Sequence, residues 1–584
     1  MNVRLSVWFV CFIVIFSIIS SISARTSNEL RITLPNGSKL VGRQLRSHEG
    51  RPIKAFLGIP YAKPPVGHLR FKAPEPAEKW EGEFFAVKDG PICVQRDPFR
   101  RNHEIEGSEN CLALNVYTPH SYDRNKTSNL PVMVFFHGGG FQCGSGIRPF
   151  YGPDYLLDYD VIYIGANFRL GPLGFLSSEQ EDCPGNFGLK DQVLVLKWIQ
   201  NNIKAFGGDP ASVTVFGESA GGASATYLMM SPLAKGLFSK AIAQSGTNLA
   251  AWSQPAHKGV ARSRAIKLAE SFKCYTPQSW PKTLDCLRSV SAENVTAAFY
   301  DFFMWDTDPM IPFPPVVEPD IPGAFITKHP RDDGHNENSL KIPFMTGLTF
   351  DEGAMKSAPL FNLPGLFDDF STNLSSVLPI ALNYDHHETL VQEWITRKIN
   401  EYYFANDLSR EKQKNVTNLF TDGWFLEAMD QYLELRLSHE NIAPTYVYLF
   451  THKGSASFTE IFKGGQENYW GVSHAEELQY LFPIADGLFI SALPTKEDEE
   501  IRKAITQLWV NFASTGNPTP DSSDLPKWEE ANGFPLKYYR IGNSNHNGKS
   551  LIGMEIDGIF HDRANFWRQI GAHLPTRIFE KDEL

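Results

Sequence analysis

The chain of 584 residues lacks several features that mark particular classes of protein. It has no run of basic residues, and its formal net charge at pH 7 is −11, which argues against a nucleic acid as partner. It contains no internal repeat and no low-complexity linker. Cysteine is scarce, at seven residues, and no spacing of cysteine and histidine is typical of a zinc site. We therefore expect no metal, no cofactor and no bound nucleic acid.

Long apolar runs are absent beyond residue 19. The run at residues 5–19 is short for a membrane span. It follows Arg4, and small residues come directly after it, which is typical of a secretory signal peptide. We predict a signal peptide over residues 1–24, with a retained anchor as the less favoured alternative. No other segment is long and apolar enough to give a stable membrane span.

The most informative segment is Gly-Glu-Ser-Ala-Gly at residues 217–221. An apolar strand candidate precedes it at residues 213–216, and a helix candidate follows at residues 223–230. This order is the context of a nucleophile elbow, in which a serine sits at the apex of a sharp turn. The flanking glycines remove the Cβ atoms that would clash in that turn. Ser219 is therefore a candidate nucleophile.

A second segment supplies candidate backbone donors. Residues 131–136 form a short apolar run that leads into His137 and three consecutive glycines. The oxyanion of acyl transfer needs N–H donors already aimed at it, and glycines let a backbone approach a substrate closely. We predict that Gly139, Gly140 and Ala220 form an oxyanion hole. Three glycines alone would indicate a flexible turn, but the serine segment in the same chain favours the catalytic interpretation.

A nucleophilic serine needs a base that a third group orients. In this kind of arrangement the acid precedes the histidine along the chain. Asp351 and Glu352 follow a short apolar run, and His474 lies further on as one of sixteen histidines. Residue types alone do not choose between the two acids, and a lone histidine is more often structural than catalytic.

Ordered blocks of the chain resemble the type-B carboxylesterase/cholinesterase family nearly end to end, and its insect carboxylesterases in particular. The blocks are residues 56–62, 64–67, 70–71, 108–117, 185–192, 206–210, 244–246 and 509–513. One departure is Asn110, where the family usually has aspartate.

The resemblance implies a carboxylic-ester hydrolase that works through an acyl-enzyme intermediate, with water as second substrate. It selects Glu352 as the triad acid and His474 as the base for Ser219. It also implies that Ser245 is an accessory hydroxyl near the triad. We count Glu218, next to the nucleophile, as a further accessory group.

Alternating buried strands and amphipathic helices indicate an α/β class with a mostly parallel sheet. Apolar residues over 189–206 recur at helical spacing, and residues 161–164 form one strand. The resemblance makes this an α/β-hydrolase fold, with helices on both faces and long insertions. Because the three triad candidates span most of the chain and must meet, we expect one domain over residues 25–580. The resemblance further implies two structural ion pairs, Arg70 with Glu109 and Arg169 with Asp191.

The segment of residues 253–343 is expected to form part of a lid and pocket wall. Its aromatic cluster at residues 299–305 fits an apolar substrate pocket and fits a core helix equally well. Trp252 resembles the family's acyl-pocket position, so we predict that it lines the pocket.

Loss of Cys11 with the signal peptide leaves six cysteines, which sequence alone can pair in about fifteen ways. In an oxidising lumen we pair those that close short loops, and the resemblance supports the choice. The predicted disulfides are Cys93–Cys111 and Cys274–Cys286. We expect Cys143 and Cys183 to stay outside them, buried.

Two further signals concern the secretory pathway. The chain ends in Lys-Asp-Glu-Leu at residues 581–584, which with a signal peptide is typical of retention in the endoplasmic reticulum by a retrieval receptor. Some export is still expected if retrieval is saturated. Five sequons predict exposed, glycosylatable asparagines, at Asn36, Asn125, Asn294, Asn373 and Asn415.

The loop at residues 94–110 bears on the choice of ester. Cholinesterases carry a tryptophan there that stacks on quaternary ammonium. In this chain the only aromatic residue of the loop is Phe99, and Arg96, Arg100 and Arg101 would repel a cation. We therefore expect neutral, apolar carboxylic esters as substrates.

Three alternatives remain open. A lipase would share the elbow and the oxyanion hole. A juvenile-hormone-type esterase is weakened because such insect enzymes usually carry glutamine where this chain has Glu218. A cholinesterase-like binding protein without activity is the minority alternative, since this chain keeps every candidate catalytic residue.

Overall fold

The computed structural model describes residues 30–98, 104–119, 129–333, 336–465, 467–484, 489, 493–542 and 550–573. Several predicted features lie outside the described residues. These are the signal peptide (1–24), Phe99, Arg100, Arg101, Asn125 and the tail at 581–584.

One large sheet organises the described part of the chain. Its eleven strands are β1 Arg43–Arg46, β2 Pro52–Pro60, β3 Ala113–Pro119, β4 Leu130–Phe136, β5 Ile162–Ala166, β6 Gly208–Glu218, β7 Lys240–Gln244, β8 Phe344–Thr349, β9 Thr445–Phe450, β10 Tyr538–Ile541 and β11 Ile552–Glu555. Smaller sheets join Arg31–Thr33, Lys39–Val41 and Glu83–Phe85, and Gln95–Arg96 with Ile105–Glu106.

The strands lie in the order β11-β10-β9-β8-β7-β6-β4-β5-β3-β2-β1. The run from β10 to β5 is parallel. At the two ends, β11 and the group β3, β2 and β1 pair antiparallel with their neighbours. Every residue of β7, β8 and β9 is buried, as expected for parallel strands covered on both faces. The predicted α/β-hydrolase class with a mostly parallel sheet is confirmed.

Helices connect the strands. The α-helices are α1 Arg148–Tyr151, α2 Gly171–Phe175, α3 Phe187–Asn202, α4 Ala220–Met230, α5 Val260–Ser271, α6 Trp280–Ser289, α7 Ala292–Ala297, α8 Pro330–Asp333, α9 Glu337–Leu340, α10 Ala354–Asn362, α11 Leu366–Thr372, α12 Leu374–Ala381, α13 Thr389–Ile399, α14 Gln413–Thr421, α15 Glu427–Leu437, α16 Leu478–Leu481, α17 Lys496–Thr515 and α18 His561–His573. Short 3₁₀ turns are Gly67–Leu69, Leu156–Asp158, Ile203–Phe206, Pro232–Ala234, Ala251–Ser253, Ala298–Phe302, Arg410–Lys412 and Phe458–Glu460. Two π-turns are Asn400–Phe404 and Asp422–Leu426.

The predicted elements around the elbow are present with shifted ends. The helix predicted over residues 189–206 is α3 followed by a 3₁₀ turn, because its last residues tighten before Gly207 at φ 93°. The strand predicted over 213–216 is longer and begins at Gly208. Helix α4 begins at Ala220, directly after the serine, rather than three residues later.

In the aromatic cluster at residues 299–305, some side chains lie in the core, as a core helix predicts, and another lines a cavity, as a pocket wall predicts. Phe299 and Phe302 are buried in the hydrophobic core. Phe303 lines a cavity, whereas Met304 is 65% exposed. Alternating surroundings along one short segment explain why its composition fitted both a core helix and a pocket wall.

Both predicted disulfides are present, Cys93–Cys111 and Cys274–Cys286, and Cys143 and Cys183 are buried thiols. Both predicted ion pairs are present too. Arg70 Nη2 lies 2.5 Å from Glu109 Oε2, and Arg169 Nη2 lies 2.7 Å from Asp191 Oδ1. No helix in the described part of the chain is long and apolar enough to cross a membrane.

The second ion pair gives a test of what stabilises the fold. Arg169 and Asp191 are almost fully buried, so Arg169→Met leaves a carboxylate without its charge partner. We expect this variant to lower the free energy of unfolding by about 3–5 kcal/mol. The exposed pair Arg410–Asp368 is the control, since Arg410→Met should cost about 0–1 kcal/mol. Thermal denaturation of both variants measures the difference, and equal losses would contradict the expectation.

Candidate active site

Ser219 alone forms the corner between strand β6 and helix α4. Its backbone has φ 58° and ψ −121°, a conformation that residues with side chains rarely adopt. Such strain costs of order 1–3 kcal/mol and persists only where the surroundings enforce it. Here the Ser219 N–H donates to the Gln244 carbonyl at 2.8 Å, on the neighbouring strand β7. The corner is therefore held from the side by the sheet.

The two glycines of the elbow are required by close backbone contacts. A Cβ atom added to Gly217 would lie 2.4 Å from the Phe136 carbonyl oxygen. A Cβ added to Gly221 would lie 1.9 Å from the same oxygen. Because the backbone of β4 occupies that space, neither position tolerates a side chain without movement of the strand.

The glycine loop and the elbow leave the same edge of the sheet. Strands β4 and β6 are parallel neighbours, with Phe136 in register with Gly217. The loop after β4 contains Gly139 at φ 94° and Gly140 at φ 62°. Ala220 is the first residue of α4, and the first N–H groups of a helix have no acceptor within it. The structure thus brings the three predicted oxyanion-hole residues to one place.

His137 precedes this loop and is a supporting residue. Its Nδ1 lies 2.9 Å from the Gly138 carbonyl, and its ring stacks on Phe168 with centroids 4.4 Å apart. Burial lowers the pKa of His137 to about 4. The ring is therefore neutral at physiological pH and adds no charge beside the glycine loop.

The structure distinguishes the two adjacent acids. His474 Nδ1 lies 2.6 Å from Glu352 Oε2. The other oxygen of Glu352 accepts from Ser245 Oγ at 2.5 Å and from the Thr349 N–H at 2.7 Å. Both His474 and Glu352 are buried. Glu352 is thus fixed by three donors, and Ser245 acts on the acid rather than on the serine.

Asp351 points the other way and joins two backbone segments. Its N–H donates to the Val472 carbonyl at 2.8 Å, and its Oδ2 accepts from the Val472 N–H at 2.9 Å. Its remaining oxygen pairs with Lys414. The turn that carries Glu352 is therefore fastened to the segment that carries His474.

His474 lies between two carboxylates. Its Nε2 is 3.0 Å from Glu218 Oε1, and its ring stacks on Phe425 with centroids 4.5 Å apart. Burial alone would lower the pKa of His474, but the charges of Glu218 and Glu352 outweigh it and raise the pKa to about 10. The Glu218 side chain therefore bears directly on the protonation of the imidazole.

A third buried carboxylate, Glu477, lies behind this group, and the sequence alone did not single it out. Its Oε1 accepts from Gln244 Nε2 at 3.0 Å and from the Tyr448 hydroxyl at 3.3 Å. Burial raises the pKa of Glu477 to about 8, and the charges of Glu218 and Glu352 add to the shift. The feature of the sequence that could have pointed to Glu477 is its position three residues after His474.

A mostly apolar cavity of about 140 Å³ opens onto these groups. Ser219, Glu218 and His474 lie on its wall with residues 138–140 of the glycine loop. Its apolar wall includes Phe150, Ile311, Met355, Phe425, Phe458 and Leu478. An apolar wall with a few convergent polar groups is the usual form of a small-molecule site.

Trp252, predicted to line the pocket, lies behind its wall. The indole N–H donates to the Trp424 carbonyl at 2.8 Å, and the ring packs against Phe425 at 6.1 Å. Phe425 lines the cavity, and Trp252 does not appear among the described lining residues. Its buried indole N–H needs an acceptor, and the bond to the Trp424 carbonyl holds the ring behind Phe425.

Two charged residues of the loop at 94–110 lie at or next to the cavity. Arg96, expected to repel a cation, lies with its guanidinium over the Tyr300 ring, 3.9 Å from the centroid. Its neighbour Asp97 lines the cavity.

Among the described residues, no group of three or more histidine, cysteine or acidic side chains is placed to hold a metal ion.

Residues 28–558 match the sequence profile of the carboxylesterase family. The chain belongs to that family. It is 35% identical to a juvenile hormone esterase of Tribolium castaneum over 548 residues, which cover 90% of this chain and 92% of the relative. It is 35% identical to esterase FE4 of Myzus persicae, with 89% and 90% covered. It is 32% identical to venom carboxylesterase-6 of Apis mellifera, with 91% and 92% covered.

Membership of the carboxylesterase family makes the protein a carboxylic-ester hydrolase, with an ester and water as substrates. The expected likeness to insect carboxylesterases is confirmed. The minority alternative of an inactive binding protein loses its ground, because the family and these relatives are named for ester hydrolysis.

The elbow contacts of this carboxylesterase give a direct test. Gly221→Ala would place a methyl group 1.9 Å from the Phe136 oxygen, and we expect a loss of about 1–3 kcal/mol or more in stability, as for an overpacked core. Gly571→Ala in α18 is the matched control, because nothing lies within 4 Å of its added Cβ. Melting temperatures of the two variants measure the contrast, and a fully stable Gly221→Ala protein would contradict the elbow geometry.

Proposed function

We propose that Ser219, His474 and Glu352 form the catalytic triad of this ester hydrolase. The observation that carries the proposal is the 2.6 Å hydrogen bond between His474 and Glu352, on the wall of the cavity that also holds Ser219. A histidine held by a buried acid beside a serine at a strained corner is the arrangement that nucleophilic catalysis needs.

In the first step, neutral His474 takes the hydroxyl proton of Ser219 as its oxygen attacks the ester carbonyl carbon. The tetrahedral oxyanion accepts hydrogen bonds from the N–H groups of Gly139, Gly140 and Ala220. The C–O bond to the alcohol then breaks, and His474 gives that alcohol the proton. Glu352 stabilises the imidazolium formed on the way.

In the second step, water replaces the alcohol. His474 takes a proton from the water, whose oxygen attacks the acyl-enzyme carbonyl. Collapse of the second oxyanion returns the proton to Ser219 and releases the carboxylic acid. The step needs no cofactor, because the chain supplies the nucleophile, the base and the donors.

The cavity supports neutral esters with an apolar arm as substrates. Its wall is largely apolar, so an uncharged hydrocarbon arm gains by burial. A lipase-type preference for long acyl chains and a juvenile-hormone-type preference remain alternatives. The 35% identity to a relative named juvenile hormone esterase favours the second of these, whereas Glu218 stands against it.

We also propose that the protein enters the secretory pathway and is held in the endoplasmic reticulum lumen by a retrieval receptor. Two disulfides suit an oxidising compartment. Among the proposed glycan sites, Asn36, Asn294 and Asn373 are exposed. Asn415 is partly buried, and its amide donates to the Tyr403 carbonyl at 2.8 Å, which makes it the least accessible of these four.

The triad is tested with 1-naphthyl esters of increasing acyl length. We expect Ser219→Ala to lose about 10³-fold or more in kcat while keeping the wild-type melting temperature, because the nucleophile is removed. Ser514→Ala in α17, whose hydroxyl donates to the Val510 carbonyl, is the matched control with retained turnover. The length profile of the wild type separates a carboxylesterase from a lipase, and substantial turnover by Ser219→Ala would overturn the assignment.

The pH dependence of catalysis tests the role of Glu218. Its negative charge raises the pKa of His474, and the base must be neutral to act. Glu218→Gln removes that charge, so the pKa of His474 should fall and the acid limb of the kcat/KM profile should move to lower pH. Profiles of both enzymes from pH 5 to about 10 give the shift. An acid limb that stays in place or moves to higher pH would contradict this coupling.

A further inference from the structure

A second chamber adjoins the ester cavity. It has a volume of about 40 Å³, which is enough for a water-sized polar group. Met310, Met355 and Phe462 line both spaces, so these side chains form the boundary between them. Methionine side chains adapt readily to what they contact, and the boundary can yield to an arm of a substrate.

The wall of this chamber carries buried charges. Lys356 Nζ lies 2.9 Å from Asp306 Oδ2 and 2.7 Å from Asp308 Oδ2. The side chains of Lys356 and Asp308 are 4% and 1% exposed. Burying such charges costs free energy, so a buried ion pair is weak evidence that the pair stabilises the fold. Their place beside a mostly apolar ester cavity therefore calls for a functional reason.

Two acceptor atoms on this wall have no hydrogen-bond partner. Asp308 Oδ1 is buried and receives no donor, and the same holds for Gln142 Oε1. The orientation of the Gln142 amide follows from its contacts, since its Nε2 donates to the Met310 carbonyl at 2.7 Å. Both residues line the chamber. Buried acceptors without donors are rare and costly, so we expect the chamber to bind a group that donates a hydrogen bond.

The charges around the chamber indicate what kind of donor fits. Two carboxylates, Asp306 and Asp308, face two ammonium groups, Lys356 and Lys463. Because these charges balance, a neutral donor fits better than a cation. A hydroxyl group is the smallest neutral donor that an ester arm can carry.

We propose that this chamber binds a terminal hydroxyl group on one arm of the ester, whose single O–H donates to Asp308 or to Gln142. The inference rests on the proposed function, because the other end of that arm must reach Ser219. Asp308, Gln142 and Lys356 then determine specificity: a hydroxylated ester donates its one O–H to one of the two acceptors, and its methyl-terminated counterpart leaves both unpaired. A site that hydrogen-bonds a hydroxyl discriminates strongly against an analogue that lacks it.

The experiment compares matched esters that differ only at the end of one arm. Hexyl butyrate is paired with 6-hydroxyhexyl butyrate, and ethyl hexanoate with ethyl 6-hydroxyhexanoate, with further pairs from four to ten carbons. Acid release at constant pH gives kcat/KM for each. We expect the effect on one arm of the ester, either the alcohol arm or the acyl arm. For that arm, the full-length wild type should hydrolyse the hydroxyl-terminated ester at least as efficiently as the methyl-terminated ester, although an apolar pocket alone would favour the methyl-terminated ester.

The double variant Asp308→Leu with Lys356→Met replaces the most buried ion pair of the chamber wall by apolar residues, and it leaves Asp306, whose side chain is 25% exposed, without its lysine partner. We expect its ratio of hydroxyl to methyl ester to fall by about ten- to a hundredfold. The matched control is Lys190→Met with Glu318→Gln, another buried pair at 2.7 Å, which should keep the wild-type ratio. If the first variant does not fold, Gln142→Met carries the same test.

Two results would overturn the inference in different ways. An equal ratio in wild type and double variant, with 1-naphthyl acetate still hydrolysed by both, would mean that only water occupies the chamber. Failure of the folded wild type to hydrolyse any ester, 1-naphthyl acetate included, would overturn the proposed function and this inference with it.

Discussion

The close contact between strand β4 and the elbow is the constraint on which the site depends. The Phe136 carbonyl leaves no room for a side chain at Gly217 or Gly221. The chain can therefore turn within one residue, and the strain falls on Ser219. Because β4 also leads into the glycine loop, one pair of neighbouring strands positions the nucleophile and the backbone donors together. A looser packing of β4 on β6 would separate them.

Much of the fold and the local parts of the site could be predicted from the sequence. The elbow and the glycine loop are short patterns whose geometry is set within a few residues, so they were visible in the chain. The disulfides join residues 18 and 12 positions apart, and their pairing came from the preference for short loops together with the family resemblance. The choice of Glu352 over Asp351 came from family resemblance, because two adjacent carboxylates have the same chemistry until the fold gives them different neighbours. The direction of the Trp252 ring depends on a carbonyl 172 residues away, which no local pattern encodes. The pairing of Lys356 with Asp308 was hidden for the same reason.

Electrostatics in the site follow from several carboxylates placed close together in a buried region. Glu218 and Glu352 flank a single imidazole, Glu477 lies behind them, and all three are buried. Burial raises the pKa of Glu477 to about 8, with the charges of Glu218 and Glu352 adding to the shift, whereas at His474 the same two charges outweigh burial and raise the pKa to about 10. The acid–base behaviour of His474 is thus set by Glu218 and Glu352 together. Substrate chemistry therefore starts from a balance among several carboxylates rather than from one isolated acid–base pair.

Asp351 and Glu352 divide two tasks between neighbouring positions. Asp351 is bonded in both directions to the backbone of Val472, two residues before His474. Glu352 meets the imidazole itself. The separation of acid and base is consequently supported by bonds to the main chain of Val472 as well as by the contact between the two side chains. Two residues that lie 122 positions apart in the chain are thus joined twice, once through their own side chains and once through the bonds between Asp351 and Val472.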